Sequence, residues 1–161
     1  MDRVAAVAVA LGSNLGDRQA HLEYAAGRLR RLLDGVRLSR FVETRPVDVP
    51  GDQPDFLNGA LVGRTTLSPE GLLEALLAIE RARGRERPFP GAPRTLDLDL
   101  IFYGDAVIDD PPRLIVPHPR FRERAFVLEP LAEVAPELRD PVTGLTVAEL
   151  YRQLQARPDR A

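Results

Sequence analysis

The chain of 161 residues has no cysteine, no tryptophan, one methionine and two histidines, His21 and His118. Without cysteine there are no disulfides, no thiolate nucleophile and no cysteine zinc site. Two histidines cannot build a multi-histidine metal centre. Lysine is also absent, so all 22 basic residues are arginine and lysine chemistry of any kind is excluded. No apolar run approaches the ~18 residues of a membrane span. The start, MDRVAAVAVALGSN, is apolar but carries Asp2, and it reads as a first strand rather than a signal peptide. The 24 acidic residues leave a net charge of −2, which excludes a uniformly basic nucleic-acid binder but not a local basic patch. With 44% hydrophobic and 29% charged residues, the composition is that of a folded domain rather than a disordered tail. A single domain spanning residues 1–161 is expected, acting as a cytoplasmic monomer with no nucleic-acid or membrane partner.

The continuous apolar run at 4–11 suits a buried central strand, broken by Gly12-Ser13-Asn14. Asp17 is placed to cap a helix running to about Leu33, with Leu22, Ala25, Ala26, Leu29, Leu32 and Leu33 on one face. Alternation predicts a strand over 36–44 and another over 56–66, separated by a proline-rich loop. Ser68-Pro69 opens a second helix to about Arg81. Residues 83–95 are too rich in proline and glycine to be regular. LDLDLIFYG at 96–104 reads as a strand with a short partner near Ala106–Ile108, followed by a proline-rich loop over 109–123. A helix at 125–135 contains Pro130, which implies a kink or a late start. A last helix covers 146–155. The order is that of an α+β fold, a ferredoxin-like βαββαβ core whose antiparallel sheet is flanked by helices, with extra C-terminal helices.

The sharpest local feature is Leu96-Asp97-Leu98-Asp99-Leu100. Alternation along a strand puts Asp97 and Asp99 on one face and the leucines on the other. Two carboxylates ~7 Å apart can hold a pair of hard cations ~3.5–4 Å apart, and oxygen ligands select Mg²⁺ or Mn²⁺ over zinc. On its own the pattern also fits a solvated edge strand. Just upstream, residues 81–94 hold Arg81, Arg83, Arg85, Arg87 and Arg94 with only Glu86 acidic. Guanidinium groups before paired carboxylates suit a polyphosphate carried with Mg²⁺. They could equally be counter-ions for the two aspartates. Neither G-x-x-x-x-G-K-S/T nor G-x-G-x-x-G is present. His118, held between Pro117 and Pro119 and followed by Arg120, Arg122 and Arg124, is a candidate phosphate donor or proton carrier. Phe56 and Asn58 share a face by alternation and could stack on and hydrogen-bond to a flat heterocycle, or could be ordinary core and turn residues.

Together these segments resemble the 6-hydroxymethyl-7,8-dihydropterin pyrophosphokinases of folate biosynthesis over roughly residues 6–136. The likeness rests on LGSNL at 11–15, DQPDFLN at 52–58, PRTLDLD at 93–99, VPHP at 116–119 and RAFVLEPL at 124–131. It implies transfer of the terminal pyrophosphoryl group of ATP to the pterin hydroxymethyl oxygen, leaving AMP. By similarity, Asp97 and Asp99 would hold two Mg²⁺ ions, and Arg85 and Arg94 would grip the moving group. Glu80, Arg87, Arg113, His118 and Arg124 would be further nucleotide or phosphate contacts. Phe56 and Phe126 would sandwich the pterin, Asn58 would read its amide edge, and Thr44, Pro46 and Val47 would lie nearby. Two positions depart from the pattern. Phe56 stands where many relatives carry tyrosine, and Gly91 stands where the family's arginine loop often carries tryptophan, leaving Phe89 as a substitute cover. Other readings of the residues are a different two-metal phosphotransferase or nucleotidyltransferase, and a non-enzymatic ferredoxin-like RNA-binding module. The latter calls for basic and aromatic residues where Asp97 and Asp99 stand.

Overall fold

The first strand alternates large and small side chains. Val7, Val9 and Leu11 go to one side, Ala8 and Ala10 to the other. A computed structural model describes residues 4–45, 53–84 and 95–157. In it this strand, β1 (Ala5–Ser13), lies inside an antiparallel sheet. Pairing with Leu57 and Asn58 carries it through Gly12 and Ser13, two residues past the expected break. The other strands are β2 (Asp34–Leu38), β3 (Val42–Thr44), β4 (Phe56–Thr65) and β5 (Asp97–Tyr103). Their order is β2-β4-β1-β5, with β3 also on β4, all antiparallel. This is the βαββαβ arrangement expected from the sequence.

The helices are α1 (Arg18–Leu32), α2 (Pro69–Ala82), α3 (Ala125–Val134) and α4 (Val147–Gln155). Three begin at the caps their sequences supply. Asp17 accepts the Ala20 amide at 3.1 Å, and Ser68 accepts the Gly71 amide at 3.0 Å. Thr146 and Glu149 form a reciprocal capping box. One face of the sheet packs its large aliphatics against α1 and α2, through Leu22, Leu29, Leu72, Leu76 and Ile79. The other face carries Ala8, Ala10, Ala60 and Val62, and α3, α4 and a short 3-10 turn at Phe121–Glu123 cover it. Small residues there let α3 lie close on β4.

Three expectations are corrected. The strand at 36–44 is two strands, because Ser39 interrupts it. The Ser39 hydroxyl takes the Ala60 amide at 2.9 Å and donates to the Arg40 carbonyl at 2.8 Å, doing with a side chain what the ladder would otherwise do. The partner expected for β5 near 106–108 does not pair with it. Instead β6 (Ile108–Asp110) pairs with β7 (Leu114–Val116) in a separate two-stranded sheet inside the segment read as loop. Finally, α3 starts at Ala125, so Pro130 does not delay it; the proline is buried in the helix interior. The irregular segments expected at 45–54 and 83–95 fall largely outside the described residues.

Among the described residues, no helix is long and apolar enough to cross a membrane. The region after 135 is tied to the body by a buried ion pair. Asp140, fully buried, accepts Arg122 Nε at 2.6 Å and Nη2 at 2.9 Å. Burial by itself would raise the Asp140 pKa. Arg122, the Val142 amide and the Thr143 hydroxyl overcome that and hold it below the usual carboxylate range.

Candidate functional site

Cross-strand register gathers the candidate residues. Gly12 of β1 pairs with Asp97 on one side and Asn58 on the other, and Asn58 pairs in turn with Val42. Register partners share a face, so Asp97, Gly12 and Asn58 form one row across β5, β1 and β4. Asp99 pairs with Ala10, one pleat along, on the same face. Phe56 pairs with Thr44, also on that face. At ~4.8 Å per strand, Asp97 and Asn58 stand about 10 Å apart across the sheet. This is the α3 side of the sheet, at the end where the alanines give way to carboxylates, an amide and an aromatic ring.

Asp97 and Asp99 are half-buried, while Leu96, Leu98 and Leu100 between and beside them are buried in the opposite core. β5 ends the sheet, so an amide on its outer edge has no further strand to meet. Glu80, only 2% exposed, reaches from α2 and accepts the Leu98 amide through Oε2 at 2.7 Å. Its carboxylate is thus bonded to the residue between the two aspartates. The sequence marked Glu80 as a nucleotide contact; the hydrogen bond ties it to the strand that carries Asp97 and Asp99.

Gly12 is the floor between Asp97 and Asn58. A Cβ there would come within 3.1 Å of Asn58 Oδ1 and 3.7 Å of the Phe56 ring. The Asn58 amide nitrogen donates to Thr44 Oγ1 at 2.5 Å, so its oxygen is the end turned toward Gly12. Sequence reading saw Gly12 as part of a break and of the LGSNL motif, with no role of its own. A glycine inside a strand is itself a signal of close approach.

The segment 117–126 closes the site from the side. The His118 amide donates to the Ile101 carbonyl at 3.1 Å. Ile101 is the extra residue of a bulge, since β1 pairs Ala8 with Phe102 but Val9 with Leu100. Burial, then Arg124 and Arg120, push the His118 pKa down to about 4, with Asp97 pulling the other way. The ring is therefore neutral near pH 7. Nδ1 accepts the Arg120 amide at 3.2 Å, which leaves the proton on Nε2. Arg124 is the N-cap residue of α3, and its guanidinium stands 5.5 Å from the ring centre of Phe126, the second residue of that helix. Arg113 is exposed on the β6–β7 turn and paired with Asp110 at 3.8 Å. Arg85, Arg87, Arg94, Pro46 and Val47, with Phe89 and Gly91, lie outside the described residues.

The donor chemistry suits a hard divalent cation. Asp97 and Asp99 offer oxygens only, on one face. Among the described residues, no group of three or more histidine, cysteine, aspartate or glutamate side chains could cage a metal by itself. A cation held here would complete its shell with phosphate oxygens and water, as Mg²⁺ commonly does.

Comparison with known proteins agrees with this geometry. A family model described as 7,8-dihydro-6-hydroxymethylpterin-pyrophosphokinase (HPPK) matches residues 8–136. The 2-amino-4-hydroxy-6-hydroxymethyldihydropteridine pyrophosphokinase of Synechocystis sp. is 45% identical over 149 residues, covering 91% of this chain and 74% of that protein. The protein of the same name from Pseudomonas aeruginosa is 44% identical over 140 residues, covering 84% and 83%. Among solved structures, wild-type Plasmodium falciparum HPPK-DHPS superposes with a TM-score of 0.73 at 16% identity, over 95% of this chain. This chain spans 45% of that longer one, and the likeness speaks for the fold alone. The family model over residues 8–136 and relatives near 45% identity show the family: this chain belongs to the HPPK family.

Proposed function

We propose that this chain transfers the pyrophosphoryl group of ATP to the hydroxymethyl oxygen of 6-hydroxymethyl-7,8-dihydropterin, giving AMP and the pterin diphosphate. The bond from the α,β-bridging oxygen to the β-phosphorus breaks and AMP leaves with that oxygen, while a bond from the pterin oxygen to that phosphorus forms and the hydroxyl proton passes to solvent. The supporting observation is the single row Asp97–Gly12–Asn58, with phosphate-type groups at one end and heterocycle-type groups at the other. The family's printed activity needs both kinds of group within one reach.

Asp97 and Asp99 are the groups that would hold two Mg²⁺ ions. When bound, these ions neutralise charge on the triphosphate oxygens. Phe56 and Phe126 are assigned to stack on the pterin, and Asn58 Oδ1 to accept from its amide edge. Thr44 keeps that amide from turning, through its bond to Asn58. His118, neutral, would donate from Nε2 to a phosphate oxygen. Arg124 would add its charge beside it, and Arg85, Arg87 and Arg94 would clamp the triphosphate. Holding the hydroxyl in line with the β-phosphorus leaves mainly positioning and charge stabilisation to provide.

The test is a product assay with ATP, Mg²⁺ and the hydroxymethyl pterin. AMP is expected in step with pterin consumption, and EDTA should stop it. Asp97→Ala should lower kcat/KM by about a thousandfold or more while the fold is retained, as loss of a metal ligand implies. ADP in place of AMP, or full activity in Asp97→Ala, would refute the assignment.

A further inference from the structure

Arg18 is the first residue of α1, where aligned peptide dipoles leave partial positive charge and a cation is disfavoured. Beyond the Asp17 cap, no acidic residue in the first turn offsets it. A residue placed against a local rule needs a reason outside its own helix. The guanidinium supplies one. Nη1 donates to the Asp55 carbonyl at 2.9 Å, and Nη2 donates to the Glu43 carboxylate. One partner lies in a strand and the other in the lead-in to the next. Glu43 is the middle residue of β3, next to Thr44, and Asp55 immediately precedes Phe56, the first residue of β4. Asn14 adds to the same attachment: its Nδ2 donates to Gln53 Oε1 at 3.0 Å and to the Pro54 carbonyl at 3.3 Å. Residues 53, 54 and 55 are thus each fastened by a side chain from the stretch 14–18.

We propose that Arg18 is a positioning residue for the pterin end of the site. One planar fork holds both the edge strand bearing Thr44 and the lead-in to Phe56, and so fixes the spacing at which Phe56, Thr44 and Asn58 meet the heterocycle. This rests on the pyrophosphokinase function proposed above. Arg18 acts through Glu43 and Asp55, not by contact with substrate. A lysine keeps the charge but is a point donor on a flexible stem, and it cannot hold both partners in the same fixed geometry. Because the ion pair is partly exposed, its loss should matter more to local geometry than to global stability.

The experiment measures KM for pterin and for ATP separately, with thermal unfolding in parallel, for the unmodified protein, Arg18→Ala, Arg18→Lys, Glu43→Gln and the double variant Arg18→Ala with Glu43→Gln. Arg18→Ala is expected to raise the pterin KM about tenfold and to keep the ATP KM within about twofold. Its unfolding midpoint should move by less than about 4 °C. Arg18→Lys should recover part of the loss. Adding Glu43→Gln to Arg18→Ala should cost little more, since contacting residues are not additive. An unchanged pterin KM in Arg18→Ala would overturn the proposal. So would parallel changes in both KM values and the midpoint, which mark a merely structural pair. If the unmodified protein makes no AMP from ATP and pterin, the function and the proposal fall together. If it does and Arg18→Ala is indifferent, the positioning role alone falls.

Discussion

The two faces of the sheet use their residues differently. Against α1 and α2, β1, β4 and β5 present mainly valine and leucine, packed on the leucines and Ile79 of the helices. Against α3 and α4 the same strands present alanines, Ile101 and Phe102 over part of their length, then Gly12, Asn58, Asp97 and Asp99. Because a strand alternates, each residue given to one face is withheld from the other. The molecule concentrates its apolar burial on one side, and this lets the other side carry polar groups that cost stability when buried.

That contrast can be broken first where it is largest. Leu72, fully buried in the aliphatic face, should cost about 2–5 kcal/mol of stability when cut to alanine. Denaturant unfolding would show it. The surviving folded protein should keep an unchanged pterin KM, and a shifted KM would mean that the two faces are not separable. The complementary change is Gly12→Ala, which adds a methyl group on the site face. It must displace Asn58 Oδ1 by a few tenths of an ångström, and about a tenfold rise in pterin KM is expected with little change in unfolding midpoint. A large midpoint drop without a kinetic effect would count against Gly12 as the floor of the site. The last test concerns pH. The folded His118 pKa lies near 4, below the ordinary 6.5, so on acidification the unfolded chain takes up the proton first. Stability of the substrate-free protein should therefore fall as pH drops through the window between those two values. His118→Asn should flatten that slope in part. His21 keeps part of the remainder, since burial and Arg83 shift it the same way, and Asp140, held low, adds to it at the acid end. An unaltered slope in His118→Asn would show that the ring is not buried neutral.

What the sequence made legible was local. Asp17 and Ser68 mark helix starts because a cap and its helix are adjacent in the chain. Asp97 and Asp99 share a face because a strand alternates. The break at Ser39 was not legible, since it depends on a hydroxyl meeting Ala60, 21 residues away. The pairing of β6 with β7 was hidden in a stretch whose prolines read as loop. The bond from Glu80 to Leu98 joins a helix to a strand edge, and nothing in the spacing of 18 residues announces it. Arg18 did carry a signal, a cation at the wrong end of a helix, but its meaning needs Glu43 and Asp55 in place. For the site, residue types were readable in the chain. Their neighbours, and hence the neutral state of His118 and the direction of the Asn58 oxygen, were not.

The bulge at Ile101 bears on how such a chain can change over generations. It divides β5 into two stretches whose alignments with β1 are independent: Asp97 to Leu100 on one side, Phe102 and Tyr103 on the other. An insertion or deletion beyond it, toward Gly104 and the small hairpin, can be absorbed at that joint without sliding the aspartates past Gly12. The same length change before it would turn both carboxylates into the leucine layer. The strand thus has one end that lineages can edit and one that they cannot.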